Sequence, residues 1–522
     1  ESKYNLTFSA YAQYYKDFAK IHHFDIMGGY EWQHFWHRDT GDGWGTYPIT
    51  NNDESLRGTQ RPHTLSRVPT ENYLVSYFGR ANYTLLERYY LTATVRDDGS
   101  SRFKDHWAWF PSFAFAWKIK DEAFLKNSNA ISDLKLRLGY GKTGQQDVNN
   151  DYAWIPVYEI PTTNTNGFYP IIDANGDGVI TTEDGQLNRP GNYTPELKWE
   201  TTTTYNVGID WGVMNQRLTG SIDWYYRKTT DLLNYAPTAP MTAFRNKAWQ
   251  NIGSLKNTGL EASISWKAIQ TKDWFWVIDY NITYNKNEIT DLNGVDADGA
   301  PIPTGPTVGT DKYIQYNQVG HPANSFLVYQ QVYDESGLPL EGVVVDRNGD
   351  GEISEADRYF YKSPMAPVTM GLSTRLEYKK WDLGMNFRAS FDNYVFNNIS
   401  SGYANINRNY IYSTTNGGVL NNRPVSALEA NWQTYDEKAL LSDRHVQNAS
   451  FLKCDNITLG YSFDSLFKCD KYKGIGGRVY ASASNVFTIT NYDGIDPEIF
   501  GGYDNQMYPR PISFIVGLNL NF

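Results

Sequence analysis

No stretch of this 522-residue chain approaches the roughly 18 consecutive apolar residues that a membrane-crossing helix requires. That excludes a helical membrane protein. It does not exclude a membrane barrel, because only one face of each barrel strand needs to be apolar. Cysteine is scarce, with Cys454 and Cys469 the only two. They flank an expected short turn, and their separation permits a disulfide without requiring one. Positive charge is in deficit: 47 Lys and Arg against 58 Asp and Glu leave a net charge of −11. No basic patch stands out, so nucleic acid is not an expected partner. The eight histidines form no HExxH, and there is no GxSxG, no GxxxxGK[ST] and no GxGxxG after a strand. Carboxylates are numerous enough to form a glycosidase pair by accident, yet no spacing singles one out. The expectation is a protein that is not an enzyme.

What the chain has in quantity is aromatic rings. Hydrophobic residues make up only 40% of it, but aromatics reach 16%, with 40 Tyr and 16 Trp. Rings with a polar edge are favoured where one end is apolar and the other wet, the condition at a membrane–water boundary. The second positive signal is period-two alternation, which marks half-buried strands. In the last segment Ile512, Phe514, Val516, Leu518, Leu520 and Phe522 share one face. In 274–285 Trp274, Trp276, Ile278, Tyr280, Ile282 and Tyr284 alternate with Asp279, Asn281, Thr283 and Asn285. The segments 134–141, 203–211 and 217–227 repeat the pattern. The polar face so defined carries Lys135, Arg137, Asp210, Asp223, Arg227, Glu261 and Asp279. Roughly 14 to 16 such strands can be counted, and the one credible helix is a short segment at 121–126.

Connection lengths alternate too. Short links lie near 85–88, 212–216, 267–273 and 378–380; long ones lie near 38–69, 143–200, 228–257, 289–366, 397–444 and 487–509. A meander across a membrane does this, with tight periplasmic turns and large outer loops, whereas a soluble sandwich has turns of similar size at both ends. The expected fold is therefore all-β: a transmembrane antiparallel up-and-down β-barrel, with strands of about ten residues across the apolar slab. The terminal aromatic Phe522 fits the signal read by outer-membrane assembly machinery. The chain opens at Glu1 inside an alternating segment and reads as a mature or truncated piece.

Two loops have the spacing of calcium-binding loops. In 173–184, Asp173, Asn175, Asp177, Val179, Thr181 and Asp184 stand at positions 1, 3, 5, 7, 9 and 12, with Gly178 at 6. In 346–357 the same positions hold Asp346, Asn348, Asp350, Glu352, Ser354 and Asp357, with Gly351 at 6. Ca2+ is a hard cation that takes several oxygens, and the glycine allows the sharp turn. Both loops end in Asp where an EF-hand has a bidentate Glu. The competing account is an Asx-rich turn that spends its side-chain oxygens on its own backbone. If Ca2+ binds, its role would be to stiffen a loop. Loop aromatics that could stack on a sugar or pack on a peptide are Trp44, Tyr152, Trp154, Tyr169, Trp249, Tyr403 and Trp432. Rings of this kind more often pack loops together, and no substrate-binding residue is singled out.

Specific motifs then accumulate in order. Ser76-Tyr77-Phe78-Gly79-Arg80 is followed by Arg96-Asp97-Asp98-Gly99-Ser100-Ser101-Arg102-Phe103, Phe110-Pro111-Ser112 and Trp117. Next come Leu134-Lys135-Leu136-Arg137, Gly141-Lys142-Thr143-Gly144-Gln145, Asn251-Ile252-Gly253 and Asn257-Thr258-Gly259-Leu260-Glu261. Asn456-Ile457-Thr458-Leu459-Gly460-Tyr461, Asn485-Val486-Phe487 and Asp496-Pro497-Glu498 complete the series. The chain resembles the SusC/RagA family of TonB-dependent outer-membrane transporters. The resemblance implies a roughly 22-stranded barrel with a plugged lumen, of which residues 1–522 are the carboxy-terminal part, with the plug and the amino-terminal strands absent from this chain. It implies active import of oligomeric nutrients, glycan oligosaccharides or peptides, in an outer membrane. The implied partners are a SusD-like surface lipoprotein, TonB acting through the plug, the remaining amino-terminal part of the transporter, and membrane lipid. Rival expectations are a secreted β-rich carbohydrate-binding or adhesive module, and a passive porin.

Overall fold

The computed structural model describes residues 2–38, 40–46, 60–66, 69–148, 150–156, 158–159, 189–238, 247–292, 301–308, 312–402, 425–432, 437–466, 475–505 and 508–521. Its main sheet has 15 strands, and their order in the sheet is their order in the chain. They are β1 (Ser2–Phe18), β2 (His22–Arg38), β3 (Thr70–Leu85), β4 (Tyr89–Ser100) and β5 (Trp107–Lys118). β6 (Ile131–Gln145), β7 (Glu200–Val213), β8 (Leu218–Thr230), β9 (Ser254–Gln270) and β10 (Trp274–Asp291) follow. The last are β11 (Val368–Tyr378), β12 (Trp381–Phe391), β13 (Phe451–Leu466), β14 (Ile475–Thr490) and β15 (Ser513–Asn521). Neighbours run antiparallel, as in the registers β1–β2, β3–β4, β10–β11 and β14–β15.

The expected alternation of links is present. Links 19–21, 86–88, 214–217, 271–273 and 379–380 are tight; links 146–199, 231–253, 292–367, 392–450 and 491–512 are long. Three depart from the pattern: 101–106 is brief on the long-link side, and 119–130 and 467–474 are longer on the tight side. The tight turns are sharp enough to force ordinary residues into the left-handed region, with φ of 51° and 59° at Ala19 and Lys20 and 55° at both Leu86 and Glu87. Each such residue costs about 1 kcal/mol, offset by a turn twist that matches the strands it joins.

The strands run longer than the alternation suggested. The segment read as 134–141 is Ile131–Gln145, and that read as 274–285 is Trp274–Asp291. Strict apolar alternation is needed only where one face meets a non-aqueous medium, and beyond it both faces can be polar. The expected helix at 121–126 is corrected. The structure has a 3-10 turn at Ile119–Asp121, followed by a single turn closed by Lys126 N–H to the Glu122 carbonyl at 2.8 Å. Lys120 Nζ ties it by donating to the carbonyls of Leu125, Lys126 and Ser128. Short helices lie instead at Asn398–Gly402, Val425–Ala430 and Glu437–Leu440, inside a long link.

Two compact units divide the chain. The first comprises Glu1–Trp117, Leu138–Tyr205 and Lys228–Ser254; the second comprises Lys118–Arg137, Asn206–Arg227 and Leu255–Phe522. In both, the buried hydrophobic core sits mainly in and beside the links. In the first it is Phe103, Phe110, Val148, Ala153, Leu197 and Trp199. In the second it includes Ile314, Phe326, Val328, Phe396, Leu441 and Val446. The strands carry their large apolar residues outward, exposed: Val207, Ile209, Ile222, Trp224, Leu459 and Val479 among them. An exposed apolar surface on that scale marks contact with a membrane or a partner. Aromatic pairs gather at the tight-turn ends, Trp274 with Tyr378 at 4.2 Å and Trp381 with Tyr461 at 4.8 Å between centroids. Amphipathic rings belong at that level of a bilayer.

Candidate functional site

The polar face of the second unit begins with a bridge across three strands. Arg137 on β6 donates from Nε and Nη2 to Asp210 on β7, at 3.0 and 2.8 Å, and from Nη2 to Asp223 on β8 at 2.9 Å. Lys135 Nζ reaches Asp210 at 4.0 Å. Gly208 lies under this bridge, and a Cβ there would run into the Asp223 carboxylate and the Arg137 guanidinium. Alternation puts all five residues on one face, and the register brings them together. Of the other charged residues expected there, Arg227 lies over the Tyr225 ring, Glu261 acts on the Tyr225 hydroxyl, and Asp279 stands opposite Ser373. A second pair, Arg478 with Asp382, joins β14 to β12 with Nε to Oδ1 at 2.9 Å.

A denser cluster lies near the long-link ends of β12 and β13. Against β12 the ladder slips by one residue on β13 between Cys454 and Asn456, and such a bulge re-aims a side chain. Asp455, the extra residue, accepts from Arg388 Nε at 2.5 Å and Nη2 at 3.0 Å. Arg388 Nη1 also donates to Glu498 Oε1 at 2.7 Å. Lys453 Nζ donates to Asp496 Oδ1 at 2.7 Å and Glu498 Oε2 at 3.0 Å, with its side chain only 2% exposed. Arg510 closes the cluster on Glu498 at 2.7 Å and Asp496 at 3.3 Å. Burial alone would raise the Glu498 carboxyl, but its hydrogen bonds from Arg388 and Lys453 outweigh that and hold it down at about 2. Beside this cluster opens a cleft of about 680 Å³, lined by Asn281, Thr369, Arg388, Ser390, Glu498 and Phe500 among others.

Of the two calcium-like loops, the first (Asp173, Asn175, Asp177, Val179, Thr181, Asp184) lies outside the described residues. In the second the side-chain oxygens serve the backbone. Asp346 accepts from the N–H groups of Gly349 and Gly351 at 2.7 and 2.8 Å. Asn348 accepts from Asp350 N–H at 2.9 Å, and Asp350 from Glu352 N–H at 2.8 Å. Asp357, fully buried, accepts from Arg347 and Ser354 N–H, each at 2.8 Å. The Ser354 N–H, opposed by burial and aided by those of Asn348 and Arg347, holds the Asp357 carboxyl below its ordinary value. Gly349 and Gly351 take φ of 73° and 84°, the sharp turn the spacing called for. Among the described residues no three His, Cys, Asp or Glu side chains converge at metal-ligand spacing.

The described loop aromatics build walls. Trp154 donates to the Ser101 carbonyl at 3.0 Å, Tyr152 accepts from Glu71 N–H at 3.2 Å, and Trp249 lies 5.6 Å from Tyr235. Trp432 is buried, donates to the Pro339 carbonyl at 3.1 Å and carries the Arg444 guanidinium over its ring. The side chain of Trp44, and all of Tyr169, Tyr403, Cys469 and Phe522, lie outside the described residues. Cys454 is buried. Sequence reasoning missed Phe500 as a ring facing open space. The available signal was its place two residues after Asp496-Pro497-Glu498, a motif whose carboxylates fix the loop.

The motif around residues 96–103 is also structural. Arg96 donates to Asp98 at 2.6 Å and to Ser76 at 2.7 Å, and Arg102 donates to Asp151 at 2.9 Å. Phe103 lies 5.4 Å from Trp199, and a Cβ on Gly144 would strike the rings of Phe110 and Trp199.

Residues 2–333 match the family model described as TonB dependent receptor-like, beta-barrel. The chain is 46% identical over 527 residues to the TonB-dependent receptor SusC of Bacteroides thetaiotaomicron, covering all of this chain and 50% of that protein. It is 31% identical to the TonB-dependent receptor P3 of Formosa agariphila, covering 98% of this chain and 52% of that protein. The chain thus spans about half the length of these curated relatives. Among solved structures, the RagAB peptide transporter aligns with a TM-score of 0.77 at 25% identity, covering all of this chain and 55% of the other. The RagAB peptide importer in its "open-open" state gives 0.78 at the same identity and the same coverage. With its antiparallel meander, outward apolar face and ion-paired polar face, this outer-membrane chain belongs to the TonB-dependent receptor β-barrel family and to its SusC/RagA branch.

Proposed function

We propose that this chain is the lumen-lining wall of an active importer that carries oligomeric nutrients, glycan oligosaccharides or peptides, across the outer membrane. In this account TonB supplies the energy through a plug portion, and a SusD-like surface lipoprotein seats on the long links. The observation that carries it is the pairing of charges on the polar face: Arg137 with Asp210 and Asp223, Arg478 with Asp382, and the Arg388–Glu498 cluster. A wall whose charges neutralise one another lets a polar cargo pass without trapping it. The relatives support the energised reading, since two are called TonB-dependent receptors and the solved complexes are called a peptide transporter and importer. The SusC/RagA likeness also sets this reading above a secreted binding module. The test is purification of the full-length protein from outer membranes in mild detergent, with mass spectrometry of what accompanies it. Co-purification of a SusD-like lipoprotein is the expected result; a protein found alone and folded without detergent contradicts it.

For the loop 346–357 we propose Ca2+ as a stiffening ion. The oxygens of Asp346, Asn348, Asp350, Ser354 and Asp357 at EF-hand-like spacing support it, as does the left-handed Gly351. The loop 173–184 carries the same proposal on its sequence alone. Terbium luminescence on the full-length protein tests the second loop: signal that Ca2+ displaces and that Asp346→Asn with Asp350→Asn reduces is expected. Unchanged luminescence in the double variant assigns the loop to its Asx turns.

A further inference from the structure

Phe500 is fully exposed, yet it does not sit on slack chain. Its turn, Phe500–Gly502, is anchored from several sides. The Gln315 side-chain amide donates to the Gly501 carbonyl at 2.7 Å, and Gly502 N–H donates to the Ile499 carbonyl at 3.2 Å. The next ring, Tyr503, stacks on Phe396 with centroids 5.8 Å apart. Gln315 and Phe396 are themselves buried. Gly501 and Gly502 hold φ of 77° and 75°, and a Cβ on Gly502 would strike Pro364. Just before the turn, Asp496 and Glu498 are pinned by Lys453, Arg388 and Arg510. A ring held outward by so rigid a frame is presented for contact, with its ordering cost already met by the fold.

The ring borders the cleft that Arg388, Glu498, Asn281 and Thr369 line. The charges there cancel: three cations (Arg388, Lys453, Arg510) face three carboxylates (Asp455, Asp496, Glu498), and each is paired. An ionic ligand would have to break one of these pairs and leave its partner uncompensated. A neutral polyhydroxylated ring has no such conflict. Its hydroxyls meet guanidinium N–H donors and carboxylate acceptors in charge-assisted hydrogen bonds, and its C–H face covers the aromatic surface.

We propose that Phe500 and the Arg388–Glu498 pair form a subsite for one sugar ring of a neutral oligosaccharide, which rests on the import reading and gives it a substrate class. The experiment uses the full-length transporter in cells lacking the chromosomal copy. Uptake is followed for labelled maltohexaose, cellohexaose, xylohexaose and mannohexaose, and for a tryptic peptide pool. For at least one hexaose, Phe500→Ala raises the half-saturating concentration roughly tenfold, and Phe500→Trp returns it to near the wild-type value. The position is exposed, so folding is not at stake. Unchanged uptake of every hexaose by Phe500→Ala overturns the subsite. So does wild-type uptake of peptides alone, which leaves the import reading standing, and so does loss of a co-purifying lipoprotein in Phe500→Ala, which makes the ring a protein seat. Wild-type uptake of no probe sinks the import reading and the subsite together.

Discussion

Lys453 is the residue whose environment is least forgiving. Its ammonium is buried between Asp496 and Glu498, and removing it leaves those carboxylates dependent on Arg388 and Arg510 alone. Breaking a buried pair from one side costs about 3 kcal/mol or more. Lys453→Met should therefore lower the thermal unfolding temperature in detergent clearly, and an unchanged midpoint would show that the cluster contributes little. The acid limb follows from Glu498. Its folded carboxyl sits at about 2 against an ordinary 4.5. A depressed carboxylate contributes stability in full above pH 4.5, and that contribution is lost as pH falls from 4.5 towards 2. In Lys453→Met the folded value rises, so less of this stability remains to be lost and the slope across that window flattens. Little of this cluster was legible in the sequence. Asp496-Pro497-Glu498 was visible as a motif, but two of its partners, Lys453 and Arg388, lie 43 to 110 residues away, and a one-residue bulge at Asp455 decides that Arg388 is reached.

At the scale of the strand, the sequence was most informative where lipid imposes a rule. Val207 and Ile209 must face outward and Asp210 inward, so the faces of β7 could be read directly. Strand ends could not, because the rule lapses where both sides are wet, and Ile289 on β10 is buried under the link that follows rather than facing lipid. The links were legible by length alone. Nothing in 292–367 announced a folded core of Ile314, Phe326 and Val328, since its small strands lack sustained alternation. The loop aromatics were open to two readings, and packing won for Trp154, Trp249 and Trp432. Gly208 gives the element-scale test. Gly208→Val would overpack the Arg137–Asp210–Asp223 bridge at a cost of roughly 1–3 kcal/mol, which should reduce the heat-modifiable folded band on unheated gels. A full-strength band would mean that the bridge shifts aside without cost.

At the largest scale, the exposed apolar face and the aromatic pairs of the second unit define a slab. On β10 the apolar alternation runs from Trp274 to Tyr284, about ten residues, the length a tilted strand needs to cross hydrocarbon. Among the described residues β1 pairs only with β2 and β15 only with β14, and open strand edges are not stable in lipid. That agrees with a chain that spans half the length of its relatives, and it makes the full-length protein the proper object of every measurement. The central claim is that alternate residues of one strand face lipid and water. Nitroxide labels placed singly at 204–207 and 209 of β7, in the full-length protein reconstituted in lipid, test it directly by collision with oxygen and with a water-soluble nickel chelate. The account predicts a period-two oscillation in antiphase, with oxygen favoured at Tyr205, Val207 and Ile209 and nickel at Thr204 and Asn206. Equal nickel accessibility on both faces would contradict it.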